Sequence, residues 1–145
     1  MRVAIASDHG GFAQKTELQK YLEELGWEVL DLGPSDEQSV DYPDFAQLVA
    51  EAVSAGRASR GVLICGTGIG MAIAANKIAG IRAANVTTPE FAQLAREHND
   101  ANIVSLSGRF VDLAINREIV RTFLETGFGA GRHQIRVDKI AKLES

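Results

Sequence analysis

A single cysteine occurs in the 145 residues of this chain, which excludes an internal disulfide and any zinc site built from several thiolates. No apolar run approaches the ~18 residues needed to span a membrane. The opening segment "MRVAIASDHGG" has an apolar stretch too short for a signal peptide, with an aspartate directly after it. Cationic excess is missing too: 15 lysines and arginines stand against 19 aspartates and glutamates, a net charge of -4. That balance gives a nucleic acid or an anionic membrane no basic patch to hold. Internal repeats, low-complexity segments and linkers are likewise absent from the sequence. One soluble, cytoplasmic domain over residues 1–145 is expected, long enough to bury a hydrophobic core.

What the chain does contain is alternation. Short β-branched runs at 2–7, 27–32, 61–65, 81–86 and 103–106 are separated by helix-period segments at 12–25, 43–56, 89–98 and 111–125, and by a short alanine-rich helix after the third run. A further helix is expected from about 132 onward. Strand following helix in this way predicts a three-layer α/β/α Rossmann-like sandwich with a five-stranded parallel sheet. Such sheets bind ligands beyond the carboxyl ends of their strands, where strand order reverses. Two polar segments are expected on that rim, "SDHGG" after the first strand and "CGTGIG" after the third.

In the second segment Gly66, Gly68 and Gly70 allow a sharp turn that exposes backbone N–H groups at the start of a helix, which suits an anion or a developing oxyanion. The spacing is neither a full dinucleotide fingerprint nor a P-loop, and a tight strand-to-helix turn would need the same glycines. Cys65 precedes them. A lone cysteine at a strand end serves either as a small core residue or, near a helix N-terminus, as a stabilised thiolate available for proton transfer. Asp8 and His9 follow the first strand, where an aspartate can cap a helix beside an exposed histidine. His98 ends a helix, where it can offset the dipole. Asp8, His9 and Cys65 lack metal-ligand spacing, so no metal site is predicted. Arg132 and Arg136, four apart, share one face of the last helix and suit a phosphate, although two arginines alone fit a solvated basic face slightly better. Arg109 is a third candidate cation.

Taken together, "SDHGGF", "DYPDFA", "ICGTGIGMAIAANK", "GIRAA", "EHNDAN" and "GRHQIRV" resemble the type B ribose-5-phosphate isomerase family, which also holds galactose-6-phosphate isomerase subunits and allose-6-phosphate isomerases. The resemblance runs over nearly the full length, in order. It implies cofactor-free interconversion of an aldose phosphate and its ketose, such as ribose 5-phosphate and ribulose 5-phosphate in the non-oxidative pentose phosphate pathway. By that resemblance Cys65 is the proton-transfer base, and the amides of Gly66, Gly68 and Gly70 hold the enediolate. Thr67 and His98 assist ring opening, and Asp8 and Tyr42 orient sugar hydroxyls. His9, Arg109, Arg132 and Arg136 take the phosphate, the last two from the C-terminal helix. The resemblance further implies a homodimer or homotetramer in which His98, Asn99 and Arg109 reach into the partner's pocket. One branch of the family uses a glutamate directly after the last loop glycine as its base. Met71 occupies that position here, which matches the cysteine branch. A paralogue acting on another sugar phosphate, and a sensor that binds without turnover, are the alternatives. A sensor would have no use for Cys65.

Overall fold

The computed structural model describes residues 1–144. Five strands among them, β1 (Arg2–Ser7), β2 (Glu28–Asp31), β3 (Arg60–Cys65), β4 (Ala83–Asn85) and β5 (Ile103–Ser107), form one parallel sheet in the order β2-β1-β3-β5-β4. The helices are α1 (Phe12–Glu24), α2 (Tyr42–Ser54), α3 (Ile69–Ala75), α4 (Pro89–Asn99), α5 (Leu113–Glu125) and α6 (Arg132–Ala141). No helix among the described residues is long and apolar enough to cross a membrane.

Period-two patterning sorts the strands into two apolar layers. Val3, Ile5, Val62, Ile64, Val104 and Leu106 face α1, α4 and α5 through Leu18, Leu22, Ala92, Ala95, Ile119 and Phe123. Ala4, Ala6, Leu63, Cys65 and Ile103 face α2 and α3 through Ala46, Val49, Ala50, Met71 and Ala75. With both faces covered, the central strands β3 and β5 are nearly continuous apolar runs, as a buried parallel sheet requires. Pro43 lies in the first turn of α2 and Pro89 in that of α4, where the missing N–H costs nothing. Thr88 caps α4 by accepting from Phe91 N–H.

β4 is shorter than its 81–86 apolar pattern predicts. Asn76 takes the outward edge of Ala83, its Nδ2 donating to the Ala83 carbonyl at 2.9 Å and its Oδ1 accepting from Ala83 N–H at 2.7 Å. On the β5 side, Asn102 Oδ1 accepts from Arg82 N–H. The Asn76 side chain thus closes part of a strand edge that would otherwise offer unpaired backbone groups to another chain.

The chain leaves β1 toward β2 in one direction and reaches β3 in the other. Strand order therefore reverses between β1 and β3, and the crevice expected of such a sheet opens above Ser7 and Cys65.

Candidate active site

Cys65 is the last residue of β3 and only 6% exposed. Its Sγ accepts the Gly68 N–H at 3.0 Å. Gly68 turns the chain at φ +83°, where a side chain would be strained, and a Cβ there would run into Asn85 Nδ2 and the Leu106 backbone. Gly70 is needed for a different reason. The Tyr42 ring lies against its α-carbon, and a Cβ would come within 2.6 Å of that ring. Tyr42, from the start of α2, is thereby set beside the loop.

Asp8 and His9 approach from β1. Asp8 N–H donates to the Ile64 carbonyl at 3.1 Å, and its carboxylate accepts from Gly11 N–H at 3.1 Å. A Cβ on Gly10 would lie 3.3 Å from Asp8 Oδ1 and 3.4 Å from Gly66 N, so the two segments are in contact. His9 is exposed, and its Nδ1 accepts from Val40 N–H at 3.4 Å. Arg109 completes this end. The turn that carries it docks on the loop through Gly108 N–H to Cys65 C=O, 2.8 Å, and Arg109 N–H to Gly66 C=O, 3.2 Å. Its guanidinium covers Gly66, with Cζ 3.5 Å from where a Cβ would stand. Within its own chain Arg109 thus lies on the Cys65 loop.

His98, Asn99, Arg132 and Arg136 are elsewhere. α4 delivers His98 and Asn99 to the beginning of β5, where Asn102 C=O accepts from Gly61 N–H at the beginning of β3. Gly61 and Cys65 are four strand residues apart, roughly 13 Å at ~3.3 Å per residue. The His98 end and the Cys65 end are therefore opposite ends of the sheet. Arg132 and Arg136 begin α6, which packs on α4. Both are exposed, and among the described residues neither forms an ion pair.

The His98 end holds one residue that sequence reasoning passed over. The His133 imidazole stacks on His98 with ring centroids 4.4 Å apart. Desolvation first, then the cations His98, Arg132 and Arg136, pull its pKa below the ordinary histidine value, with Glu97 opposing. An anion arriving between these groups would reverse the cationic part of that shift. The only signal for His133 in the sequence was its place between Arg132 and Arg136. A groove of about 760 Å³ also opens at this end, beside Asn99, Arg82, Ile140 and Leu143. It lies away from the Cys65 crevice.

The arrangement at Cys65 can remove a proton with a shielded sulfur and hold the resulting oxyanion on backbone N–H groups. No group of three or more His, Cys, Asp or Glu suited to a metal ion occurs among the described residues.

The ribose/galactose isomerase family model matches residues 3–140. Ribose-5-phosphate isomerase B of Escherichia coli is 45% identical over 143 residues, covering 99% of this chain and 96% of that protein. The structure of ribose-5-phosphate isomerase B from Clostridium thermocellum superposes with a TM-score of 0.98 at 51% identity, covering 99% of this chain and 97% of the other. The Mycoplasma genitalium ribose-5-phosphate isomerase B, solved with bound ribulose 5-phosphate, superposes at 0.94 with 46% identity, covering 99% and 95% of the two chains.

Proposed function

As this chain belongs to the ribose/galactose isomerase family, we propose that it interconverts ribose 5-phosphate and ribulose 5-phosphate, with Cys65 as the base. The observation that carries this is the Cys65 sulfur itself, placed at the strand-order reversal and paired with the Gly68 N–H. In the proposed reaction Thr67 and His98 open the sugar ring by moving protons at its oxygens. Cys65 then takes the proton from C2 of the open aldose. The electron pair forms a C1–C2 double bond, and the carbonyl oxygen becomes the enediolate oxygen that the loop amides hold. Because this charge exists only during reaction, those amides accelerate it rather than merely bind. Return of the proton to C1, with the C2 hydroxyl proton passing to the C1 oxygen, leaves the carbonyl at C2 and completes the ketose. Asp8 and Tyr42 orient hydroxyls along the chain of the sugar. His9, Arg109, Arg132 and Arg136 take the phosphate.

No single chain can assemble this set, since His98, Arg132 and Arg136 stand at the end of the sheet opposite Cys65. The working unit is a homodimer or homotetramer in which one copy's His98 end meets its partner's Cys65 end. Exposed apolar residues support such contacts: Ile69 and Ile73 on α3, and Phe91 and Leu94 on α4.

The test is an isomerase assay over aldose phosphates of increasing length, with and without chelator. Turnover is expected to be fastest with ribose 5-phosphate and unaffected by exhaustive EDTA. A clear preference for a six-carbon or four-carbon sugar would reassign the substrate, and chelator-sensitive activity restored by a divalent metal would overturn the mechanism.

Arg136→Ala tests the phosphate site in two ways. Losing a charge-assisted contact of ~1.5–3 kcal/mol should raise KM roughly 10- to 150-fold. Removing one cation from beside His133 should also move that imidazole's NMR titration upward in pH, because a neighbouring positive charge disfavours its protonated form. An unchanged KM would return Arg132 and Arg136 to a solvated face.

A further inference from the structure

Three side chains from β4 and β5 each hold one of three consecutive carbonyls of the Cys65 loop. Ser107 Oγ donates to Gly66 C=O at 2.7 Å, Asn85 Nδ2 to Thr67 C=O at 3.3 Å, and Ser105 Oγ to Gly68 C=O at 2.6 Å. Both serines are buried. Ser107 Oγ also accepts from Phe110 N–H at 2.9 Å, which leaves its own proton directed to Gly66. Asn85 Nδ2 donates to Ser105 C=O as well, at 3.0 Å. Two carbonyl partners fix the orientation of the Asn85 amide, since only its NH2 group can bond to both.

A planar trans peptide points its C=O and N–H in opposite directions. Holding the carbonyls of Gly66, Thr67 and Gly68 toward β4 and β5 therefore turns the N–H groups of Thr67, Gly68 and Ile69 away from those strands. Gly68 N–H meets Cys65 Sγ, and Ile69 N–H meets Thr67 Oγ1 at 3.1 Å. The Thr67 N–H meets no protein acceptor among the described residues. With the Gly66 N–H, which likewise meets none, it is an open donor of the loop.

We propose that Ser105, Ser107 and Asn85 are positioning residues for the reaction: by pinning three successive carbonyls they aim the Thr67 N–H at the enediolate oxygen and the Gly68 N–H at the Cys65 sulfur. This rests on the loop's role in isomerisation proposed above. A donor that is already aimed needs no reorganisation as charge develops, and that is the source of its catalytic effect. None of the three side chains is assigned contact with the sugar, so their removal acts through the loop.

Two variants test the proposal, the buried Ser105→Ala and the edge-strand Asn85→Asp, which keeps its shape but sets an acceptor against two carbonyls. Each should lower kcat about tenfold or more, a part of the roughly 10²- to 10³-fold effect of deleting an oxyanion donor outright. KM for the sugar phosphate and inhibition by inorganic phosphate should stay unchanged. A hydroxamate analogue of the enediolate should bind more weakly by the same factor that kcat loses, a proportionality that simple loss of stability would not produce. Should Ser105→Ala fail to fold, Asn85→Asp decides alone. Folded variants with parental kcat and parental analogue affinity would overturn the clamp. Such parental behaviour alongside an inactive Cys65→Ala would remove only the clamp. Full turnover by Cys65→Ala would instead remove the underlying mechanism.

Discussion

Cys65→Ala is expected to fold, bind the sugar phosphate with nearly parental affinity, and turn over roughly 10²- to 10⁴-fold more slowly, the usual range for losing a positioned general base. The bland alternative has its own signature. Cys65 packs among Leu63, Met71 and Ala6, so as a mere core residue it would leave a small cavity worth ~1 kcal/mol, with turnover retained. Nothing adjacent can replace a lost base. Met71 is an inert, fully buried thioether, and the Thr67 hydroxyl hardly ionises near neutral pH. Cys65→Ser should gain little over alanine, since its hydroxyl keeps the shape but lacks an accessible anion. Iodoacetamide should inactivate the parent protein, and saturating substrate or phosphate should slow that reaction. The decisive measurement is exchange of the proton beside the carbonyl in heavy water. Exchange by Cys65→Ala at the parental rate would place the base elsewhere.

Mixing two inactive variants, Cys65→Ala and His98→Ala, is expected to restore activity that neither shows alone. In a hybrid dimer one site combines both substitutions and the other carries neither. Random reassortment of a two-fold symmetric dimer makes half the molecules hybrids, so recovery should approach about a quarter of parental activity. The physical basis is the separation of roughly 13 Å or more between the His98 end and the Cys65 end of the sheet, set by the ~3.3 Å rise of each β3 residue. A histidine within reach of Cys65 in its own chain would give no recovery on mixing. Subunit exchange can be followed by mass spectrometry of isotopically labelled chains. Exchange that is complete while activity stays absent would contradict a site shared between copies.

The layers of this fold were legible in the sequence because they depend on local period. Apolar residues run nearly unbroken along 2–7 and 61–65 and recur at helical spacing along 12–25, and those two patterns separate strand from helix. The Cys65 loop was legible for a similar reason, as a cysteine and three glycines lie within six consecutive residues, 65–70. The extent of β4 was less legible. Asn76 and Asn102 take backbone groups of Arg82 and Ala83 from outside the strand, a choice no window of the local sequence contains. Arg109 was recognised as a cation, but its seat over Gly66 comes from the docking of the 107–110 turn on the Cys65 loop.

By itself, then, the amino-acid order determined which elements form, which faces they bury, and where a thiol and a run of amides stand together. Tertiary structure decided which distant residues serve that thiol. The β4 and β5 side chains Asn85, Ser105 and Ser107 reach the loop only because the β5 strand lies between β3 and β4 in the sheet. His133 met His98 only when α6 folded back on α4. The separation of His98 from Cys65 follows from the parity of a parallel sheet, in which every strand-to-helix junction lies at one end and every helix-to-strand junction at the other. Spacing along the chain sets neighbours within one element. Contact between elements depends on how the sheet orders its strands, because burial of both sheet faces is satisfied only by the assembled layers.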